Sequence, residues 1–321
     1  MGGRLKFSIL VVLVVLIIGI IAGVTRHNIA LAKKPKTANA EVKQDIVPSH
    51  SEEASTITLE KRPTVVDSSV IHYRDKVIVL TYHHFDEKES TYTMTPQRFH
   101  EHLQILKNDH YNVISMDDFI GFLNGQFEVP PNAVLITIDD GYHSVYKYAF
   151  PELLKQGFTA TTFLIVGSIG NTTYTPPFMT WDEVKEMAKN GFSFYSHTYD
   201  LHDLKANENG QMVSTLANRI FLPDQKRLET EDEYVTKVKT DLAKAEQVLK
   251  DQLGNTKSML CFPHGNYNRE VIDLAQQVGI DYFFTGKEGI NTRRNREIFR
   301  IDSAAPWMTP ANFEKKINRL H

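Results

Sequence analysis

The sequence predicts an α/β fold: a closed or incomplete (β/α) barrel preceded by a single N-terminal transmembrane helix. Three observations carry that expectation. From Lys76 onward, short apolar runs alternate with stretches of helical period, the pattern of a parallel sheet with crossover helices. About 245 residues follow Asp75, the usual size of such a barrel and enough for one large core. The residues suited to chemistry fall at the carboxyl ends of the apolar runs, where these barrels carry their sites.

Phe7 to Val24 is an almost wholly apolar run of 18 residues, with Arg4 and Lys6 before it. That length is near the lower limit for spanning a bilayer and exceeds the usual core of a signal peptide. Residues 1–24 are therefore expected to be an uncleaved, single-pass membrane anchor. Ala30-Leu31-Ala32 and Ala38-Asn39-Ala40 leave cleavage, and with it a secreted product, open. Basic residues flank both ends, so charge does not orient the span. Residues 25–75 are rich in Lys, Glu, Ser, Thr, Ala and Pro and lack apolar periodicity, as a solvated stalk does. Residues 76–321 form the folded domain. The net charge of −3 gives no sign of a nucleic-acid surface. The single cysteine, Cys261, forbids an internal disulfide and leaves the compartment undecided.

The elements follow in order. Val77 to Tyr82 reads as a buried strand. Thr95-Pro96 supplies an N-cap and a first-turn proline for a helix with Phe99, Leu103 and Leu106 along one stripe. Asn112 to Ser115 is a short strand, and the next helix carries Phe119, Ile120 and Leu123. Ala133 to Asp139 is a strand. The helix from Val145 to Gln156 stops at Gly157, and Thr159 to Val166 is a β-branched strand. Thr180 and Glu183 form a capping box for a helix ending near Gly191, before a strand from Phe192 to His197. A long polar stretch, Lys205 to Asp232, is either an insertion over the active face or a loose surface loop. A helix over Glu231 to Leu253 stops at Gly254. Ser258 to Pro263, Asp281 to Thr285 and Phe299 to Asp302 are further strands, with a helix carrying Val271, Leu274 and Val278 between the first two. Thr309-Pro310 opens a last helix.

The chemistry concentrates in Thr137-Ile138-Asp139-Asp140-Gly141. Two adjacent carboxylates end an apolar strand, and alternation at a strand end aims them to opposite sides. One can hold a metal while the other serves as a base. His197 and His202 stand five apart, a spacing that does not share a helix face and needs a loop or corner. One Asp with two His is a common ligand set for a catalytic divalent ion with positions left open. Pro263-His264-Gly265 follows a strand as a rigid turn whose amides can face an oxyanion. His83 and His84 end the first strand, where a histidine could protonate a leaving group. His100, His102, His110 and His143 read as helix-surface or loop residues.

From about Val77 to Pro306 the chain resembles the polysaccharide deacetylases, the NodB-like carbohydrate esterase family four. Thr-Ile-Asp-Asp-Gly matches the family's Thr-Phe-Asp-Asp-Gly. His197-Thr198 to His202 is one residue wider than the common His-Ser/Thr-x-x-His, and that wider form resembles the branch acting on poly-β-1,6-N-acetylglucosamine in biofilm matrices. Cys261-Phe262-Pro263-His264-Gly265 stands where the family has Arg-x-Pro-Tyr-Gly, without the arginine and with His264 for the tyrosine. The family's C-terminal Leu-x-His is missing, and Arg300-Ile301-Asp302 occupies that region. In the biofilm branch a histidine of a first-strand Tyr-His supplies the acid, a rearrangement that Tyr82-His83 fits.

The resemblance implies Asp140, His197 and His202 as metal ligands, Asp139 as general base and His83 as acid. The His264 amide, in the Pro263–Gly265 turn, would share the oxyanion with the metal. One divalent ion is implied, zinc first, with cobalt, nickel, manganese or iron compatible with the same ligands. The expected activity is N-deacetylation of an extracellular N-acetylglucosamine polymer, poly-β-1,6-N-acetylglucosamine first and peptidoglycan second, with an inactive glycan-binding domain as the reading from another class. The expected partners are that polysaccharide and, through the N-terminal segment, a membrane.

Overall fold

Val77–Tyr82 (β1) and Ala133–Ile138 (β2) are unbroken runs of mostly branched apolar residues, and every one of their residues is buried. They pair in parallel along their full length, from Val77 opposite Ala133 to Tyr82 opposite Ile138. Strands covered on both faces need no polar alternation. The structure is a computed structural model, and residues 70–320 are described. The expected anchor at residues 1–24 and the stalk up to residue 69 lie outside the described residues. Among the described residues no helix is long and apolar enough to cross a membrane.

The helices are Pro96–Asn108 (α1), Met116–Leu123 (α2), Phe150–Gln156 (α3), Trp181–Lys189 (α4), Glu231–Leu253 (α5), Arg269–Gln277 (α6) and Pro310–Ile317 (α7). A π-helical turn, Val145–Ala149, leads into α3. The remaining sheet strands are Thr161–Leu164 (β3), Ser193–Ser196 (β4), Met259–Cys261 (β5), Tyr282–Phe284 (β6), Glu297–Ile298 (β7) and Ile301–Asp302 (β8). Side-chain caps start every one of these helices except α3, which continues from the π-helical turn with Ala149 before it. The capping boxes Thr180–Glu183 and Thr230–Glu233 open α4 and α5.

The sheet runs β7-β6-β5-β4-β3-β2-β1-β8, parallel throughout, with Asn112–Val113 added against β2. Alternate residues enter opposite layers. Val77, Val79, Ala133 and Leu135 cluster with Phe163, Cys261 and Phe284. Ile78, Leu80, Val134 and Ile136 cluster with Phe99, Leu103, Leu153 and Phe313 from the helices.

The two edges of this sheet, β7 and β8, are consecutive in the chain. Only Phe299 and Arg300 separate them, so the barrel is incomplete in its hydrogen bonds and joined covalently at the gap. The sequence places one strand over Phe299 to Asp302; the structure has two short ones. The reason is Asn291, which is wholly buried. Its side chain accepts from the Phe299 amide at 2.9 Å and donates to the Phe299 carbonyl at 2.8 Å. Its own backbone pairs with Val77 in both directions at 2.9 Å. Phe299 is thereby withdrawn from both ladders.

Three further differences matter. His102, read as a surface or loop residue, is wholly buried. Its ring stacks on Phe313 at 4.0 Å and its Nε2–H donates to the Met308 carbonyl at 3.0 Å. It lies on the same α1 stripe as Phe99 and Leu106, which α7 covers. Tyr73, assigned to the stalk, is buried and donates to the Ala133 carbonyl at 2.8 Å. The Lys205–Asp232 stretch is an ordered insertion. It carries the ribbons Leu204–Ala206 with Met212–Ser214 and Phe221–Leu222 with Arg227–Leu228. Leu216 and Ala217 pack with Tyr234, Val238 and Val271 of α5 and α6. The insertion leans on those helices and contributes no residue to the lining of the cleft described next.

Candidate active site

A cleft of about 720 Å³ opens at the carboxyl ends of the strands, lined by His83, Asp139, Asp140, His197, His202, His264 and Arg300 among others. The strand ends thus bring together every catalytic, metal and turn residue expected from the sequence, Pro263 and Gly265 forming the turn that carries His264.

Asp139 and Asp140 part company at the backbone. Asp140 takes a left-handed φ of 74°, and Gly141 follows at 89°. That φ at Gly141 is one an L side chain rarely adopts, and a Cβ there would also press on Leu164 Cδ2 at 2.8 Å and Ile169 Cδ1 at 2.9 Å, so the turn calls for glycine. The kink, rather than strand alternation alone, sends the two carboxylates apart.

The Asp140 carboxylate turns toward the histidine loop. Its Oδ1 lies 3.5 Å from His197 Nε2 and 3.3 Å from His202 Nε2. These ligand atoms lie within 4.8 Å of one another. His197 Nδ1 is 2.8 Å from the Cys261 carbonyl, an oxygen that can only accept. The ring proton therefore sits on Nδ1 and Nε2 presents its lone pair, the arrangement that tunes imidazole ligands. Burial pushes His197 down to about 4, with the Asp139 charge pulling the other way, so the imidazole is neutral, as a ligand must be. Burial raises the Asp140 carboxyl, but the His202 hydrogen bond and the neighbouring histidines outweigh it and hold it well below the usual carboxylate range. These three groups fit a divalent cation, two imidazoles and one carboxylate leaving other positions open. Asp139, His197 and Cys261 form a second possible trio.

Asp139 points the other way. Its Oδ1 accepts from Arg300 Nη1 at 2.8 Å, and Cys261 Sγ lies 3.4 Å from its Oδ2. Arg300 also donates from Nε to the Thr285 carbonyl at 3.0 Å. Burial disfavours the Asp139 carboxylate, yet the Arg300 charge and then His197 and His83 bring it below its ordinary value. His83 faces the same carboxylate, Nε2 to Oδ2 at 3.8 Å, while its buried Nδ1 has no partner among the described residues. His84 turns aside, its Nδ1 3.2 Å from Thr93 Oγ1 and its ring edge-on to Tyr142.

In the Pro263–Gly265 turn, His264 has φ 55° and Gly265 66°. The Gly265 and Asn266 amides are spent on the Phe262 and Pro263 carbonyls. The His264 side chain donates from Nε2 to the His202 carbonyl at 2.9 Å, tying this turn to the histidine loop. Asp302 caps the next turn, accepting from the Ala304 and Ala305 amides.

Two participants escaped sequence reasoning. Arg300 was visible only as part of a segment standing where a different motif is usual, and Cys261 only as a lone cysteine. The missing arginine of the Pro-x-Gly motif was the usable signal, because a buried Asp139 needs a cation from somewhere.

A family profile described as Polysaccharide deacetylase matches residues 127–283. Residues 127–283 thus carry a polysaccharide deacetylase domain. It is 27% identical over 202 residues to the poly-beta-1,6-N-acetyl-D-glucosamine N-deacetylase of Escherichia coli strain K12, covering 58% of this chain and 30% of that protein. It is 29% identical over 200 residues to the protein of the same name from Staphylococcus epidermidis, covering 61% of this chain and 62% of the relative. The chain thus spans less than two thirds of the length of either relative. Among solved structures, the de-N-acetylase from Aggregatibacter actinomycetemcomitans superposes with a TM-score of 0.68 at 26% identity, covering 74% of this chain and all of that one. The cleft's paired carboxylates, its histidines and its buried arginine thus sit on a fold held in common with a de-N-acetylase.

Proposed function

We propose that this polysaccharide deacetylase domain is a divalent-metal-dependent N-deacetylase of poly-β-1,6-N-acetylglucosamine, held on the outer side of a membrane by residues 1–24. The observation that carries the enzymatic reading is the convergence, in one cleft, of the Asp140–His197–His202 trio with Asp139 and His83 on its far side.

A divalent ion held by Asp140, His197 and His202 would supply Lewis acidity, polarising the acetyl carbonyl and easing ionisation of water. The rest falls to the chain's own groups. Asp139, ionised and oriented by Arg300, takes a proton from the attacking water. The new C–O bond forms as the carbonyl oxygen gains charge, and the His264 amide faces that charge. His83 gives a proton to the nitrogen as the C–N bond breaks. Acetate and a free amine leave. Tyr92 and Tyr142 flank the cleft and offer flat apolar faces to pyranose rings.

The β-1,6 linkage is supported by the names of the two relatives, the five-residue histidine spacing and the first-strand Tyr82-His83. The membrane location rests on the apolar Phe7–Val24 run and the polar stretch after it. Zinc is the first choice of metal because imidazole and carboxylate suit it.

The test compares acetate release from β-1,6 N-acetylglucosamine oligomers, β-1,4 chitin oligomers and peptidoglycan fragments, before and after stripping with a strong chelator and after adding back zinc or cobalt. Turnover of the β-1,6 oligomers, abolished by the chelator and restored by the metal, is the expected result. Turnover of peptidoglycan alone overturns the substrate, full activity without metal overturns the mechanism, and binding of every glycan without acetate release overturns the enzyme.

A further inference from the structure

Two of the three candidate ligands share one loop, and something must hold that loop. Between His197 and His202 the chain bends sharply, with Thr198 at φ 74°. Its amide donates to Ser196 Oγ at 3.0 Å. On one side the loop leans on the segment after β3: the Val166 amide donates to the Thr198 carbonyl at 3.0 Å and the Gly167 amide to the Tyr199 carbonyl at 2.9 Å. A Cβ on Gly167 would lie 2.7 Å from that carbonyl oxygen, so the approach is open to glycine alone.

On the other side stands a single carboxylate. Asp241, buried in the middle of α5, accepts from the Tyr199 amide on Oδ1 at 2.9 Å and from the Asp200 amide on Oδ2 at 2.7 Å. Lys244, nearly one turn further along, lies 3.8 Å over the Tyr199 ring. Burial pushes the Asp241 carboxyl up to about 6, with the two amides pulling the other way. A carboxylate here is costly to bury, and its two oxygens are each used on the loop between the histidines.

We propose that Asp241 is a positioning residue of the metal site, its carboxylate fixing the Tyr199 and Asp200 amides so that His202 is presented to the ion beside Asp140. The proposal rests on the metal-site reading given above. Groups that orient ligands from behind typically govern metal affinity by tenfold to a hundredfold. Asp241 lies well outside the Asp-Asp-Gly, histidine and Pro-x-Gly motifs, 39 residues beyond His202, and reaches the site only through packing of α5.

The test is the dissociation constant of zinc and of cobalt, measured by competition with a chromophoric chelator on the full chain well below its unfolding temperature. The variants are Asp241→Ala, Asp241→Asn and Leu249→Ala. Asp241→Ala should bind about tenfold to a hundredfold more weakly. Asp241→Asn, which keeps one accepting oxygen and sets an NH2 against the second amide, should fall between. Leu249, wholly buried on the same helix and eight residues (about 12 Å of helix rise) beyond Asp241, controls for destabilisation: its truncation should lower the melting temperature and leave the constant unchanged. Wild-type affinity in Asp241→Ala, or in Asp241→Asn should the alanine variant fail to fold, overturns the proposal. So does an equal loss in Leu249→Ala. A wild-type chain that binds no ion defeats the metal-site reading itself, a different failure from wild-type binding with indifferent Asp241 variants.

Discussion

Arg300 donates from Nη1 to Asp139 Oδ1 at 2.8 Å, and both side chains are buried. The guanidinium leaves the chain at the gap between β7 and β8 and reaches inward to the end of β2. It anchors its Nε on the Thr285 carbonyl after β6. One residue therefore links the two edges of the incomplete barrel to the carboxylate that the proposed reaction uses as a base. Without this cation, burial would favour a protonated Asp139, which could not accept a proton.

Arg300→Met should be among the most damaging single changes in the domain. It leaves the Asp139 charge buried and unpaired, a loss of about 3 to 5 kcal/mol in typical cases. Denaturant unfolding should show a clearly lower midpoint, and acetate release should collapse in the fraction that remains folded. Arg300→Lys keeps a charge but not the fork that serves Asp139 and Thr285 together, so it should recover part of the stability. An unaltered midpoint in Arg300→Met would show that the pair does not hold the fold.

The two adjacent carboxylates should separate by assay. Asp139→Asn is expected to retain metal, measured by elemental analysis after gel filtration, and to lose turnover by about a hundredfold or more. Asp140→Asn and His202→Ala are expected to lose metal. Retention of metal in Asp140→Asn together with its loss in Asp139→Asn would reverse the two roles.

His83 and His84 are neighbours with different outlooks. His83 faces Asp139 across the cleft, whereas His84 is turned to Thr93 and Tyr142. His83→Ala should cost about a hundredfold or more in turnover with metal content unchanged, as loss of a general acid does. His84→Ala should cost much less. Equal turnover of His83→Ala and the wild type would move attention to His264 and Asp302.

His102 predicts a pH dependence of stability remote from the chemistry. Burial pushes it down to about 3 from 6.5, with the Arg98 charge acting in the same direction. The unfolded chain therefore binds the proton more readily than the folded one. Its contribution is fully present above pH 6.5 and is lost as pH falls toward 3, about 2 kcal/mol of it between pH 7 and pH 5. Urea unfolding of the wild type and His102→Gln at several pH values should show a shallower acid-side slope in the variant. Identical slopes would count against a neutral, buried His102.

Local patterns were enough for most of the elements. Apolar run lengths marked β1 and β2, capping residues started α1, α4 and α7 where they begin, and Gly254 stops α5 with φ 73°. These features are legible because they depend on near neighbours: periodicity, a cap, a turn. The same holds for the motif residues, since Asp139-Asp140-Gly141 ends a strand and His197 to His202 must bend. His102 shows the limit of this reading. It lies on the apolar stripe of α1, but only the arrival of α7 makes that position a core site.

What the sequence by itself determined is which groups could do chemistry and at which strand ends they stand. The tertiary structure alone decided which distant groups serve them. Arg300 meets Asp139 across 161 positions of chain, and Asp241 meets Tyr199 across 42. Asn291 splits the last strand by taking both polar groups of Phe299. Each of these is a buried polar group satisfying another. A buried charge or amide must find its partner wherever packing brings one, and sequence spacing carries no record of that choice.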